Sequence, residues 1–212
     1  MKNFILGLIC GAVLFSSSVI YASDSIQALL WPVKLEINGK IQQLENDFVV
    51  LNYKNHAYVP VRFVAESLGL GVRYMSKDNI RYDDHVISIM SEPITDETAN
   101  KIWKIQYHLN IGRDQAYVKR LIGEPTIIST DEQQVVQWRY DISTKSDYKF
   151  IDSGQGNIDF YGLEGGDLGA QLFIKWSNHR KIMQISLGYK QQSWIYQYYV
   201  RSDGASGIVL LE

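Results

Sequence analysis

From Val33 onward apolar and polar side chains alternate: Val33, Leu35 and Ile37 are separated by Lys34, Glu36 and Asn38. A period of two places the three apolar residues on one face of a strand. Asn38-Gly39 tolerates positive φ at both central positions of a tight turn, so a returning strand is expected from Ile41. The apolar run Phe48 to Tyr53, the polar turn Lys54-Asn55-His56 and Tyr58-Val59 extend the series of short strands. The period then changes. Pro60 suits a helix start, Val61, Val64, Ala65 and Leu68 recur at the spacing of one helical face, and Gly69 supplies the stop. After it Val72 and Tyr74 alternate with Arg73, and Ile80 to Tyr82, the turn Asp83-Asp84 and Val86 to Met90 read as a hairpin.

Ser91 to Ala99, with Pro93 and scattered acids, reads as a linker. Beyond it Ile102, Ile105 and Leu109 have helical spacing, with Trp103 off that face. A second short helix carries Val118, Leu121 and Ile122 and stops at Gly123-Glu124-Pro125. Val136, Trp138 and Tyr140 alternate as a strand. Leu172 to Trp176 and Ile182 to Leu187 form a hairpin through Ser177 to Arg180, and Ser193 to Val200 is read as the last strand. The expected fold class is α+β: a leader at 1–22, a small strand-helix-strand module at 28–91, a linker at 92–100, and an α+β module at 101–212. In the last of these, two helices pack on an antiparallel sheet, and a glycine-rich insertion lies at about 141–170. Each module is expected to bury its own core.

The first residues bear on compartment. Lys2 precedes the uncharged run Phe4 to Phe15, and Ser16 to Ser18 leads to Tyr21-Ala22-Ser23, the order of a secretory signal cleaved near Ala22. The apolar run is shorter than the ~20 residues that span a bilayer. Cys10, the single cysteine, follows Ile9 rather than a small residue, which argues against lipid attachment. Cleavage would leave a chain with no disulfide and no thiol nucleophile. Loss of Lys2 takes the formal charge from −2 (21 basic against 23 acidic) to −3 (20 against 23), with no basic block, so nucleic acid and anionic lipid are poor partners. Apolar residues at 46% with 14 tyrosines and 5 tryptophans fit a strand-rich globular protein.

Two family resemblances emerge from these residues. Tyr58-Val59-Pro60-Val61-Arg62, the helix end Ala65-Glu66-Ser67-Leu68-Gly69, the preceding Asn38-Gly39-Lys40 and the following Val86 to Ile89 strand resemble the stalk domain named after the N-terminus of copper amine oxidases, over about Val33 to Met90. The chain departs from that pattern in carrying Lys54-Asn55-His56 where a glycine is usual. The resemblance implies neither copper nor oxidase chemistry; it implies a surface-displayed envelope module. The second half is similar, at Gly112, Val118, Leu121, Gly123, Pro125, Trp138 and Tyr140, to the small outer-membrane-assembly lipoprotein and β-lactamase-inhibitor-like fold. That resemblance implies protein binding, with the glycines between Asp141 and Ala170 as an insertion.

Candidate chemistry is sparse. His56, His85, His108 and His179 fall in separate predicted elements without ligand spacing, so no metal site is read and no cofactor is expected. Asp83, Asp84 and His85 read as a polar turn. No Gly-x-Ser-x-Gly elbow occurs, Gly154 and Gly156 lack the rest of a phosphate loop, and Asp131-Glu132, Asp152 and Asp159 read as solvated loop charge. Arg62, inside the helix start, is read as a structural hydrogen-bonding anchor. The residues singled out for partner contact are Trp194, Tyr196 and Tyr198, which share one strand face while Ile195, Gln197 and Tyr199 share the other. One face is then an exposed aromatic ladder, unless the sheet is covered on both sides. The functional expectation is a non-enzymatic secreted or envelope protein that binds or scaffolds. Its partners would be an envelope or extracellular protein or cell-wall polysaccharide, with no nucleic acid and no membrane span after cleavage. A secreted inhibitor of a hydrolase and an extracellular hydrolase are the alternatives.

Overall fold

The computed structural model describes residues 25–44, 48–77, 83–93, 96–131, 133–150 and 156–211. The leader at 1–22, with Cys10, and the Ile80 to Tyr82 strand reading lie outside the described residues, as do Glu132 and Asp152. With 19% of the chain in helix and 40% in antiparallel strands, the fold is α+β.

The N-terminal part is a set of small hairpins. Strand β1 (Leu29–Leu30) pairs with β4 (Leu51–Tyr53), which pairs with β5 (His56–Tyr58), while β2 (Leu35–Ile37) pairs with β3 (Lys40–Gln42). Asn38 (φ 52°) and Gly39 (φ 74°) make the first tight turn. Lys54 (φ 50°) and Asn55 (φ 62°) make the second without glycine, because asparagine adopts the left-handed region at little cost and one lysine there is tolerated. His56 therefore opens β5 instead of lying in the turn.

Helix α1 (Val61–Ser67) follows Pro60, and Gly69 (φ 75°) donates back to Glu66 O at 3.0 Å to close it. Its buried side chains are Phe63 and Ala65; Val61 and Leu68, expected on the buried face, are exposed. A seven-residue helix covers little surface, and its ends face solvent.

Strands β6 (Leu70–Met75) and β7 (Val86–Ser91) form the next antiparallel pair. Helix α2 (Glu97–His108) starts inside the expected linker, capped by the Asp96 carboxylate, which accepts from Ala99 N at 2.8 Å. Helix α3 (Gln115–Ile122) is capped likewise by Asp114 accepting from Tyr117 N at 2.8 Å.

The remaining strands are β8 (Ile127–Thr130), β9 (Val136–Ile142), β10 (Ala170–Trp176), β11 (Ile182–Gln191), β12 (Trp194–Val200) and β13 (Ser206–Leu211), with α4 (Phe160–Glu164) between β9 and β10. They form one antiparallel sheet in the order β13-β12-β11-β10-β9-β8, a meander of sequence neighbours. Strands β8 and β13 have no counterpart among the strands expected from the sequence, which end at Val200, and α4 lies inside the glycine-rich insertion.

The main core joins Ile105 of α2, Leu109 just beyond its end and Val118 of α3 to Tyr140, Leu172, Ile174, Ile185, Leu187 and Tyr198 of the sheet. Met75, from the end of β6, belongs to the same cluster and has no exposure. The main core thus takes in the end of β6 as well as residues of the 101–212 module. Ser76 N and Oγ both donate to Ser206 O at 2.8 Å, and Ser206 Oγ donates to Tyr74 O, so the end of β6 is stitched to the start of β13. Gly71 explains how closely α2 can lie on β6: a Cβ there would stand 2.5 Å from Tyr107 Cβ and 2.8 Å from Trp103 Cζ2.

The opposite face of the sheet is covered by the segment around α4, through Leu163, Leu168 and Ile195. Beneath it Arg139 pairs with Asp141 (Nη2 to Oδ2 3.0 Å), both side chains almost wholly buried. Gln171 Nε2 donates to Asp141 Oδ1 at 2.8 Å, and Tyr148 OH donates to Asp159 Oδ2 at 2.9 Å.

Candidate functional site

Because α2 is sandwiched between the β6–β7 hairpin and the large sheet, both its faces are buried, and Trp103, off the predicted apolar stripe, is 6% exposed. Where the three elements diverge they leave a cleft of about 290 Å³. Arg73 of β6, Met90 of β7, Ile102, Trp103 and Gln106 of α2, and Tyr189 at the end of β11 line it. Its volume is at the small end of the ~300–1,000 Å³ typical of ligand clefts.

Arg73 is the most informative wall. Strand alternation sets it opposite Val72 and Tyr74, which reads as a solvent-facing position. The structure departs from this: Val72 is buried, but so is Arg73, 5% exposed, while Tyr74 is 38% exposed. Helix α2 covers the face that a two-stranded hairpin alone would leave open. Arg73 Nη1 donates to Gln106 Oε1 at 2.7 Å, and its guanidinium carbon stands 4.7 Å from the Tyr107 ring centroid and 6.0 Å from that of Tyr198. Both distances are within the range of cation–π attraction.

The three residues singled out on β12 lie along the face of the sheet that turns toward α2, and their burial changes steeply along the strand. Trp194 is 57% exposed, Tyr196 is half-buried, and Tyr198 is in the core with its hydroxyl donating to Gln106 O at 3.4 Å. Both faces of the sheet are covered, the alternative to an exposed ladder, and of the three rings one is exposed, one partial and one interior, because α2 covers only the distal end of β12. Trp194 lies opposite Gln191 and Tyr196 opposite Tyr189, and the Tyr189 and Tyr196 rings stack with centroids 6.0 Å apart. An aromatic row thus runs from solvent at Trp194 to the wall of the cleft at Tyr189.

Burial shapes the ionisation of the site. Desolvation pushes the Tyr198 phenol well above its ordinary range, with the nearby Arg73 guanidinium acting in the opposite sense. At the C-terminal end of α2, desolvation lowers the affinity of His108 for a proton, Glu66 acting against it and Arg62 with it; its ring meets Trp103 edge-on at 4.8 Å. Arg62 Nη1 donates to Tyr107 O at 3.2 Å and lies 3.5 Å from Glu66 Oε1, so it ties α1 to the carbonyl end of α2.

The other candidates stay apart. His56 Nδ1 lies 2.8 Å from Lys54 O, His85 hydrogen-bonds the Tyr74 hydroxyl, and His179 is in the exposed β10–β11 turn. Among the described residues no three of His, Cys, Asp and Glu gather as a metal site. Asp131 is engaged in its turn, accepting from Val135 N at 2.9 Å and Gln133 N at 3.0 Å, and the Val135 amide leads in holding its carboxyl below the usual range. Asp159 caps α4 by accepting from Gly162 N at 2.9 Å. Sequence reasoning missed the roles of Arg73, Trp103 and Gln106. The only trace was an arginine and an off-stripe tryptophan in two elements that turn out to face each other.

Among the described residues no helix is long and apolar enough to cross a membrane. Comparison with protein-family models, with curated proteins and with solved structures finds no match.

Proposed function

We propose that the protein is an exported, non-enzymatic binding or scaffolding protein of the cell envelope, with an aromatic edge and cleft as its contact region. The observation that carries this reading is the row Trp194, Tyr196, Tyr189, which leads from solvent into a cleft walled by both halves of the chain. An indole exposed at the rim of a cleft suits stacking on a sugar or anchoring in a partner's pocket. Export is supported by Lys2, the apolar run Phe4 to Phe15 and the small residues before Ser23. The stalk-type reading of residues 33–90 is supported by the Tyr58 to Tyr74 pattern, and it gives the N-terminal part a supporting role. Its exposed Leu29, Leu30, Ile87 and Ile89 add apolar surface of the kind that marks interaction sites.

Affinity capture from envelope extracts tests the reading, with the mature chain set against Trp194→Ala. An exposed ring at a strand start contributes within about 0.5 kcal/mol to stability, so the variant folds. We expect it to retain substantially less of the captured protein or polysaccharide. Identical capture by both would overturn the assignment of the aromatic edge.

A further inference from the structure

Three side chains that line the cleft carry a buried hydrogen-bond donor without an acceptor: Arg73 Nε, Gln106 Nε2 and Trp103 Nε1. All three are donors. A buried N–H left unpaired costs about 1–3 kcal/mol, and more when it is charged. The Gln106 amide has no freedom to relieve this by turning over, because its Oε1 already accepts from Arg73 Nη1.

The charge balance points the same way. No carboxylate of a described residue pairs with Arg73, whose surroundings are the Gln106 amide and the Tyr107 and Tyr198 rings. The cleft lining includes Arg73 and Lys190 and no acidic residue. Lys190 is exposed, with its Nζ donating to Glu164 O at 2.8 Å, whereas Arg73 is buried. The remaining wall is apolar, from Met90, Ile102 and the Trp103 and Tyr189 rings.

We infer that the cleft binds a carboxylate carried on an apolar or aromatic body, the carboxylate accepting from Arg73 and Gln106 and the body packing against Met90, Ile102 and Tyr189. This rests on the binding reading above and names the ligand class for it. A neutral sugar fits less well: its hydroxyl protons need acceptors, and the unpaired set consists of donors.

The test follows the Trp103 indole N–H resonance of the full chain during titration with matched acids and amides. Phenylacetate is set against phenylacetamide, and N-acetylphenylalanine against its amide. We expect each acid to shift the resonance in the millimolar range or below and each amide to bind at least about tenfold more weakly. We expect the preference to vanish in Arg73→Gln. Should that variant fail to fold, the acid–amide ratio in the native chain decides alone. N-acetylphenylalanine mimics a peptide chain end and phenylacetate a free acid, so their order separates the two sources, and tighter binding by either upholds the carboxylate. Equal binding of acid and amide would overturn the inference, as would no response to any probe, the mark of a cleft that holds water only. Either failure leaves the Trp194 capture experiment free to succeed; loss of that capture effect with acids still bound would sink the functional reading instead.

Discussion

Among the described residues two arginines are buried, and they are treated in opposite ways. Arg139, on the α4 face of the sheet, has a carboxylate partner in Asp141 at 3.0 Å and gives a further hydrogen bond to Phe150 O at 3.3 Å. Asp141 in turn accepts from Gln171. Arg73, beside α2, has one amide oxygen, two aromatic faces and a cleft. Burying a charge is costly unless it is paired and hydrogen-bonded. The first site is internally complete and reads as structure, pinning the segment after β9 to the sheet. The second is incomplete by the same standard, and the incompleteness lies along one cleft wall. Buried charge alone therefore does not mark a functional residue; the informative quantity is whether its hydrogen bonds close within the chain.

The largest effect that would sharpen this contrast is expected from Asp141→Ala. It leaves Arg139 buried without its counter-charge and should lower unfolding free energy by about 3–5 kcal/mol in urea titration. A loss below about 1 kcal/mol would mean that the pair is effectively solvated and that the contrast fails. Next comes Gly71→Val, which forces side-chain atoms into Tyr107 and Trp103. Overpacking of this kind costs about 1–3 kcal/mol. It should also shift tryptophan emission to longer wavelength as α2 lifts from β6, whereas unchanged emission would place the contact elsewhere. Arg73→Met should cost less, about 1 kcal/mol, since losing the bond to Gln106 is offset by removal of an unpaired cation. A loss as large as that of Asp141→Ala would make Arg73 a structural residue like Arg139.

The smallest effect is one of pH. Burial holds the folded-state affinity of His108 for a proton below the ordinary value of 6.5. As pH falls through 6.5 the unfolded chain takes up the proton first, so this contribution to stability is complete above that value. It diminishes on acidification and levels off below the folded-state value. Melting temperatures of the native chain and His108→Asn between neutral and mildly acidic pH should converge as pH falls; parallel curves would remove His108 as a source of acid sensitivity.

Much of the local structure was legible from single residues. Asn38-Gly39 marks the first hairpin, Gly69 and Gly123 the ends of α1 and α3, and the alternation around Trp138 marks β9. These are decisions made within a few residues, where backbone preference and periodicity act directly. What was not legible depends on residues far apart in the chain. Arg73 alternates like a surface residue and is interior only because α2 covers it. Trp103 departs from the stripe formed by Ile102, Ile105 and Leu109 because α2 has a second face to bury. Strand β8, Ile-Ile-Ser-Thr, shows no alternation of apolar and polar residues, both isoleucines being exposed at the sheet edge, and β13 is placed by its pairing with β12. Of the three aromatic residues read on β12, their shared face could be derived from parity, but the gradient from Trp194 to Tyr198 could not, because α2 sets it.

The stitch between Ser76 and Ser206 spans 130 positions along the chain, whereas every rung of the large sheet joins neighbours in sequence. Contacts between distant positions form late, because loop closure must precede them. During synthesis α2 can cover Arg73 early, but the end of β6 at Tyr74 and Ser76 gains its bonds to Ser206 only once nearly the whole polypeptide has emerged. The anchoring of β6 to the large sheet is accordingly a product of the final steps of folding, and shortening the chain before Ser206 would keep every residue that lines the cleft while removing the stitch that holds the end of its β6 wall.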